Sequence, residues 1–468
     1  MAEHDAGGGR LGHEIDSGSP RQRQHAAAQA AVVSSAALPL GVFRVCWSAL
    51  MVYSLLSTVY GSSELQAKFG NTSLNFRFRF ADNCTLLRPT AGQATSLCLA
   101  AAAAAAAVGL GLPQPLHRLA SVVLLALYST LQLWEKSRYN NHYYLDCLLA
   151  GLFAATDAHA ALSVDRALQQ PPEAPATIPA WQLWAFRLQL LLAYMYGALA
   201  KLSSEDWIYR AQPMTGWLQL QGKWTPLHAV AAGLCQPQLA AETLGWVFSV
   251  GGVLFDLCII VPLLLSTSEL NPSASSRRRW RGVSWLCTLV FHGTNAAIFN
   301  IGTFPFMMIA ANALFLMNTT VDDADIDEGE VKAGDDMDNS TDRDDEGLGR
   351  AVLETRASRS DCGGLGVLGG VVAAVWCAVQ LMVPLRHHVY EGPVVWTGEG
   401  YHFSWMMVRS LLSVQPDHPQ GSSRSDSSTV VFMDLSDRLF FWIVTEAGGQ
   451  QGHDEDTAGR RTAARTAA

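Results

Sequence analysis

Two polar residues, Lys201 and His142, stand out because the segments around them are mostly apolar or aromatic. Lys201 follows an apolar run at 190–200, and Tyr194, Tyr196 and Trp207 lie near it in the sequence. A lysine kept away from water loses its proton more readily and could act as a base near neutral pH. Composition alone favours the alternative, a lysine whose ammonium group extends to the membrane surface.

His142 belongs to a short run of hydrogen-bonding residues. The run reads Tyr139-Asn140-Asn141-His142-Tyr143-Tyr144. Its two amides, histidine and three tyrosines could orient a polar ligand or stabilise an oxyanion. The alternative is a helix cap followed by aromatic residues at a membrane surface, because asparagine is a good N-cap residue.

Other ionisable residues lie in or beside apolar segments, where an unpaired charge is unfavourable. They are Asp146, Asp157, His159, Arg187, Asp256 and His292. Any of them could form a structural ion pair or extend its charged end to the surface. For Arg187 and Asp256 both interpretations stay open, since the sequence does not show contacts.

The elements that must position these residues are apolar segments, which need roughly 20 residues to cross a membrane as a helix. The best count is nine, at about 36–60, 96–112, 116–134, 143–164, 181–202, 243–266, 283–299, 304–317 and 365–384. The seventh and eighth spans meet at a break predicted from Gly302 and Pro305. We therefore predict an all-α, polytopic transmembrane helical bundle with a short, partly β C-terminal tail.

The composition favours the same class. Hydrophobic residues make up 49% of the 468 positions and charged residues only 16%, against about 25% charged in an average soluble domain, which argues against an ordinary cytosolic enzyme. The net charge is −9, but the segment 322–346 alone carries −11 and leaves +2 for everything else. A basic nucleic-acid-binding protein is thereby excluded. The 14 tryptophans suit anchors at membrane surfaces.

Orientation is predicted from the arginine cluster at 277–281, which we take as a cytosolic loop between the sixth and seventh spans. This places the N-terminus in the cytosol and the C-terminus in the lumen. Lys201, His142 and the segment after Pro384 then share the lumenal side. The glycosylation sequons at Asn71 and Asn83 fall in the first lumenal loop and could be used.

Domain boundaries follow from these spans. We predict a disordered cytosolic N-terminus at 1–35, a transmembrane domain at 36–317, an acidic disordered cytosolic insertion at 318–363, a last span at 364–385, a short lumenal segment at 386–445 and a disordered tail at 446–468. Strand-like runs at 429–435 and 438–445 predict a hairpin that turns at Ser436-Asp437. Asp323, Asp325 and Asp327 have the spacing of calcium-loop ligands, but the required turn glycine is displaced, with Glu328 preceding Gly329.

The nine cysteines do not form a disulfide framework. Six lie in or beside spans and are interpreted as packing residues: Cys46, Cys98, Cys147, Cys258, Cys287 and Cys377. Cys84 and Cys235 fall in predicted lumenal loops and could pair in an oxidising compartment. No cluster of cysteine and histidine suggests a metal, so we predict none.

Several short blocks occur in a recognisable order over about residues 40–410. They are Asn140-Asn141-His142-Tyr143-Tyr144-Leu145, Asp157-Ala158, Ser163-Val164-Asp165, Gly197-Ala198-Leu199-Ala200-Lys201-Leu202, Asp206-Trp207, Phe291-His292, Ile301-Gly302-Thr303-Phe304, Gln380-Leu381, Pro384, His387, Trp396-Thr397 and Tyr401-His402-Phe403-Ser404-Trp405-Met406-Met407. In this combination the chain resembles the vitamin K-dependent γ-glutamyl carboxylase family and its HTTM membrane domain.

The resemblance implies a specific reaction. Members of the family deprotonate reduced vitamin K, the hydroquinone, and let it react with O2. The oxygenated species removes a γ-proton from a peptide glutamate, and the carbanion captures CO2, leaving γ-carboxyglutamate and vitamin K epoxide. The implied partners are membrane lipid, a lipid-soluble quinone and a glutamate-containing peptide or protein. The implied location is the endoplasmic reticulum membrane, and no metal is required.

The resemblance also assigns site residues. Lys201 matches the family's catalytic lysine and His142 the histidine expected to hold or polarise the oxygenated quinone. Contact with quinone or substrate is implied for Asn140, Asn141, His292, His387, Trp396, Tyr401, Phe403, Ser404 and Trp405.

Some features depart from the family pattern. Ala200 stands where the animal enzymes often have a second lysine, and no cysteine follows Cys377 to form their lumenal disulfide. About 80 residues follow Pro384, far fewer than in the animal enzymes, whose long lumenal domain holds the substrate's propeptide. We therefore expect either a truncated gene model or the loss of that part. Two alternatives stay open: quinol epoxidation without carboxylation, and a non-enzymatic membrane protein or transporter.

Overall fold

Apolar runs along the chain fold into helices that lie side by side. In the computed structural model, side chains are described for residues 35–61, 90–134, 139–168, 176–211, 242–299, 301–317, 369–391 and 402–405, with isolated positions such as 69, 78, 214 and 215. For 34, 237–241, 363–368, 412–414, 429–432 and 442–445 the backbone is described.

The described part of the first 211 residues alternates long helices with short connections. In chain order it contains β1 (Ser34–Ala36), α1 (Leu38–Tyr60), α2 (Ala91–Leu110), α3 (Gln114–Leu133), α4 (Asn141–Ala155), a 3-10 turn (Ala158–Ala160), α5 (Val164–Leu168), β2 (Thr177–Pro179), α6 (Ala180–Leu202) and a π turn (Asp206–Arg210). Strands β1 and β2 pair antiparallel, which ties the start of α1 to the start of α6.

The remaining described elements complete the bundle. They are α7 (Pro237–Cys258), α8 (Ile260–Leu265), α9 (Ala274–Ile298), α10 (Phe304–Ala310), α11 (Ala313–Leu316), α12 (Gly363–Met382), a 3-10 turn (Val383–Val389) and strands β3 (Leu412–Val414), β4 (Thr429–Phe432) and β5 (Trp442–Thr445). Strand β4 pairs antiparallel with β3 on one side and β5 on the other, and Phe432 lies opposite Trp442. The register of β4 against β5 places the midpoint between the two strands at the turn predicted from the sequence, Ser436-Asp437.

Helices α1 to α4 pack in chain order, and α6 packs against α7 and α12. Aromatic rings join α1, α4 and α6 at the centre: Phe153 lies 4.9 Å from Trp47 and 4.8 Å from Phe186, centroid to centroid. These rings are fully buried. Close aromatic contacts of this kind stabilise a core beyond the area they bury. The predicted helical membrane bundle is confirmed.

Six described helices are long and apolar enough to cross a membrane: Leu38–Tyr60, Ala91–Leu110, Gln114–Leu133, Ala180–Leu202, Glu242–Leu265 and Gly369–Val389. Helices also occupy the other three predicted spans. Of these, α4 has only 15 residues, α9 is polar in its first turns, and the pair α10 and α11 is short and broken.

The predicted fourth span is too long at its C-terminal end. Helix α4 ends at Ala155 instead of continuing to 164, because the fully buried guanidinium of Arg44 binds the carbonyls that follow. It donates to the carbonyl oxygens of Ala158, Ala161 (3.2 Å) and Leu162 (2.6 Å). These carbonyls are satisfied by a side chain, so the backbone has no need of another helical turn.

Gly111 is required beside this arginine. Its φ of +63° is in the left-handed region, and a Cβ there would lie 2.8 Å from a guanidinium nitrogen of Arg44. Glycine reaches this conformation without steric penalty and ends α2 where the chain must turn into α3.

The arginine cluster at 277–281 lies inside helix α9 and not in a loop as predicted. Ser273 caps the helix by accepting a hydrogen bond from the amide of Ser276. Arg277 donates to the carbonyl oxygens of Asn271 (3.0 Å) and Pro272 (2.8 Å), so the connection before the helix is held by its own first turn. The break predicted before the eighth span is present, with Gly302 at φ +60° and Pro305 in the first turn of α10.

We predict that Arg44→Ala destabilises the protein by roughly 3–5 kcal/mol, because several buried carbonyls lose their charged donor. The melting temperature in detergent and the yield in membranes should both fall. Arg118→Ala is the matched control, since Arg118 lies at the same end in a solvent-exposed pair with Asp157 at 3.2 Å. It should change stability by less than about 1 kcal/mol. Equal effects of the two variants would contradict the role given to Arg44.

Candidate active site

Lys201 and Asp256 form a buried ion pair between α6 and α7. Lysine Nζ lies 2.5 Å from Oδ2 of Asp256, and the side chains are only 6% and 8% exposed. The sequence left both residues open as surface-directed groups or structural ions. Burial of both shows that Lys201 does not extend to the membrane surface; its charge is balanced inside the bundle.

Glycine and aromatic residues lie around the Lys201–Asp256 pair. Nζ of Lys201 lies 5.5 Å from the ring centre of Trp207, within range of a cation–π interaction. A Cβ at Gly197 would lie 3.2 Å from Oδ2 of Asp256, and one at Gly252 would lie 3.7 Å from Nζ. Glycine at 197 leaves room for the Asp256 carboxylate between the helices, whereas a Cβ at 252 would make only an ordinary van der Waals contact with Nζ.

A second polar couple lies next to the first. The hydroxyl of Tyr194 and Nε2 of His292 are 3.0 Å apart, which brings α6 and α9 together. The charge of Asp256 acts on Tyr194, and that of Lys201 on His292. Phe255 lies beside this couple and stacks on Phe291, with the two ring centres 3.8 Å apart.

The ring of Phe304 connects His142 to the couple of Tyr194 and His292. His142 stacks on Phe304 with centres 4.6 Å apart, and Phe304 meets His292 edge-on at 6.0 Å. Nε2 of His142 is buried and has no hydrogen-bond partner among the described residues. Asn140 is the N-cap of α4, since its side chain accepts a hydrogen bond from the amide of His142 at 3.2 Å. The helix-cap interpretation is therefore correct for Asn140. One ring nitrogen of His142 has no hydrogen-bond partner among the described residues.

An aromatic cavity of about 190 Å³ lies beside the start of α4. Its lining residues come from α3, α4 and the segment 402–405: Ser129, Gln132, Leu133, Tyr139, Asn140, Tyr143, Tyr144, Cys147 and Phe403. The exposed surface of its walls is almost entirely apolar. Such a cavity suits a flat ring system better than a charged group.

The segment 402–405 adopts a strained conformation. Phe403 and Trp405 have φ of +64° and +56°, which is unfavourable for bulky side chains and costs about 1–3 kcal/mol at each residue. The amide of Phe403 donates to the hydroxyl of Tyr139 at 2.7 Å, and the same hydroxyl donates to Oδ1 of Asn141 at 3.1 Å. Ser404 and Trp405 are buried. Contacts with the membrane domain therefore hold the segment in place.

Two residues of this region were not identified from the sequence. Arg386 donates to the carbonyl of His402 and lies over the ring of Phe403, with 5.3 Å from guanidinium carbon to ring centre. Phe78 also stacks on Phe403, with ring centres 6.0 Å apart. Nothing in their local sequence distinguishes them, because both residues act through tertiary contacts with the segment 402–405.

The other predicted site residues have different placements. His387 lies in the turn after α12, with Nδ1 at 2.7 Å from the carbonyl oxygen of Pro384. Trp396, Tyr401, and the sequons at Asn71 and Asn83 lie outside the described residues, as do Cys84 and Cys235.

Two of the ionisable residues noted in the sequence have structural partners elsewhere. Asp146 accepts a hydrogen bond from the indole of Trp47 at 2.8 Å. Arg187 pairs with Glu269 at 2.9 Å and donates to the carbonyl of Leu314. Within the described segments, no group of three or more His, Cys, Asp or Glu could hold a metal ion.

Comparison with known families decides the assignment. Residues 34–319, more than half of the chain, match the HTTM domain. Residues 367–416 match the lumenal domain of the vitamin K-dependent gamma-carboxylase. The chain belongs to this carboxylase family. No solved structure matches it.

The two matched regions meet at the site. Lys201, Asp256, His142 and His292 lie in the HTTM region, and Phe403 lies in the lumenal-domain region. The hydrogen bond from the Phe403 amide to Tyr139 is one of the contacts between the two regions. The candidate site therefore includes residues from both matched regions.

We predict that Tyr139→Phe loosens the segment 402–405, because the Phe403 amide loses its acceptor at a cost of about 1–3 kcal/mol. Hydrogen exchange at that amide, measured in lipid nanodiscs, should become about tenfold faster or more. Tyr53→Phe, which removes a hydroxyl from an exposed side chain of α1, is the matched control and should leave the exchange unchanged. An unchanged rate in Tyr139→Phe would show that other contacts hold the segment.

Proposed function

We propose that this protein oxygenates vitamin K hydroquinone to the epoxide and uses the strong base so formed to carboxylate a peptide glutamate. The observation that carries the proposal is the buried Lys201–Asp256 pair, which lies in an apolar bundle next to the couple of Tyr194 and His292. A base held in this way is protected from water, as the reaction requires.

The residues present suit a quinol. The aromatic walls of the cavity, including Tyr143 and Phe403, match a fused ring system, and Asn140 in the lining offers an amide for polar contact with a ring oxygen. The buried Nε2 of His142 is available to one oxygen. Lipid-facing helices let a substrate with an apolar tail enter from the bilayer.

In this proposal each residue has a defined task. Lys201 takes the proton from a hydroxyl of the hydroquinone, and His142 orients or polarises the oxygenated quinone. Reaction with O2 places one oxygen atom in the epoxide and the other in water, while the γ-proton of glutamate is removed and CO2 adds to the carbanion. The buried segment with Ser404 and Trp405 closes the site against water on the side of the peptide.

The proposed setting is the membrane of the endoplasmic reticulum, with the site at the lumenal side. In this orientation the arginines of α9 lie toward the cytosol, and the N-terminus of α4 and the C-terminus of α6 lie toward the lumen. Proteins that pass through the lumen would then supply the glutamate substrate.

The direct test is incubation of membranes that contain the protein with reduced vitamin K, O2, a glutamate peptide and labelled CO2. We expect label in the peptide and an equal amount of epoxide. Epoxide without label would support the alternative of a quinol epoxidase that does not carboxylate. If neither product forms in correctly folded protein, the proposed function is wrong.

We predict that Lys201→Ala lowers epoxide formation at pH 7 by about 100-fold or more, the usual effect of losing a general base. Activity should recover partly at high pH, because the hydroquinone then loses its proton without help. Leu202→Ala is the matched control, since this neighbour points outward from the same helix end. A normal rate in Lys201→Ala would remove Lys201 from the mechanism.

A further inference from the structure

Asp256 has no task in the reaction as described above, although it is the group in closest contact with Lys201. We propose that Asp256 is a positioning residue that acts through Lys201, accepting the lysine's proton as Lys201 takes one from the hydroquinone. This inference rests on the proposed function.

The contact between Lys201 and Asp256 raises the question of how Lys201 can accept a proton. In this proposal Lys201, held 2.5 Å from a carboxylate with both side chains buried, rests as an ammonium ion. An ammonium ion cannot accept a proton. Lys201 must therefore pass a proton on before, or as, it receives one, and Oδ2 of Asp256 already shares a hydrogen bond with Nζ.

The step balances in protons and in charge. The O–H bond of the hydroquinone breaks and its proton goes to Nζ, while one N–H bond of Lys201 breaks and that proton goes to Oδ2. Before the step the site holds Lys201⁺ and Asp256⁻; after it, Lys201⁺ and the quinol anion, with Asp256 neutral. One positive and one negative charge are buried throughout, so the step avoids the large penalty of adding charge to an apolar interior.

The other groups that face the pair are Tyr194 on α6, His292 on α9 and Trp207 in the π turn. Tyr194 and His292 are hydrogen-bonded to each other, and indole carries no proton-accepting group. Among the described residues, this leaves the Asp256 carboxylate as the acceptor in direct contact with Lys201 Nζ. Gly197, which has no Cβ to crowd Oδ2, permits that approach.

The test compares Asp256→Asn with Asp256→Glu and uses Glu242→Gln as the matched control, an exposed carboxylate on the same helix. The Asn variant should lower kcat for epoxide about 100-fold while KM for the hydroquinone stays within about twofold. Its rate should rise with pH, because Lys201 must then release its proton to solvent. The Glu variant should retain more activity than the Asn variant, and Glu242→Gln should match the wild type.

Rescue by added amines distinguishes a Lys201 that relays a proton as an ammonium ion from one that acts as a free amine base. With methylamine supplied to Lys201→Ala at several pH values from neutral upward, and the rate without amine subtracted, we expect epoxide formation to recover. At every pH it should follow the total amine concentration, because the ammonium form can relay a proton to Asp256. The double variant Lys201→Ala, Asp256→Asn should not recover. If recovery follows only the neutral fraction of the amine, or is equal in both backgrounds, a free amine is the base and the inference is wrong.

Infrared difference spectra without O2 provide a readout that does not require turnover. On addition of the hydroquinone we expect the band of a protonated carboxyl group in the wild type and in Glu242→Gln, and its loss in Asp256→Asn. An active wild type without this band, or an Asp256→Asn variant that keeps half of its epoxide rate, overturns the inference alone. A wild type that shows the band and forms no epoxide overturns the proposed function instead.

Discussion

The structure depends on keeping two opposite charges, Lys201 and Asp256, inside an apolar helical bundle. Neither charge would be tolerated there alone, and the pair is tolerated only because the two side chains are in direct contact. This requirement fixes the rotation of α6 against α7 and explains why a glycine stands at 197, where a Cβ would lie 3.2 Å from Oδ2 of Asp256. The adjacent couple of Tyr194 and His292 in turn fixes α9 against α6. A change that separates these helices would expose an unpaired charge, so the arrangement that suits proton transfer also stabilises the packing.

The second constraint acts where the chain leaves the membrane domain. Phe403 and Trp405 keep left-handed backbone conformations that bulky residues avoid, and buried contacts must offset that strain. Those contacts are made with Tyr139 and with Arg386, from two different matched regions of the chain. Because Tyr139 also binds Asn141 next to His142, the strained segment and the polar run at the start of α4 are held by one hydroxyl.

The sequence predicted the elements better than their contacts. Hydropathy located helices at all nine expected positions, and Gly302 and Pro305 predicted the break after α9, because both signals are local. The end of α4 was missed because it depends on Arg44, more than 100 residues away in the chain. Asp256 was noted as an unexpected charge, but its partner could not be predicted, since hydropathy does not give the rotation of one helix against another. The backbone strain at Phe403 could not be predicted either, because a left-handed φ at phenylalanine has no local sequence signal.

Helix α12 shows how these parts act together. Only 11% of its apolar window is buried inside the protein. Lipid tails around such a helix would give no hydrophobic drive for it to pack on another. Polar contacts hold it instead. Trp376 donates to Gln189 at 3.0 Å and Tyr196 to the carbonyl of Leu381 at 2.6 Å, both on the helix of Lys201. Gln380 accepts from Tyr144, two residues after His142. The helix that leads to the strained segment is therefore fixed to both helices that carry the proposed chemistry. A shift of this helix would move the wall of the cavity and both polar groups at once, which gives a physical reason for the membrane domain and the segment after it to be retained together.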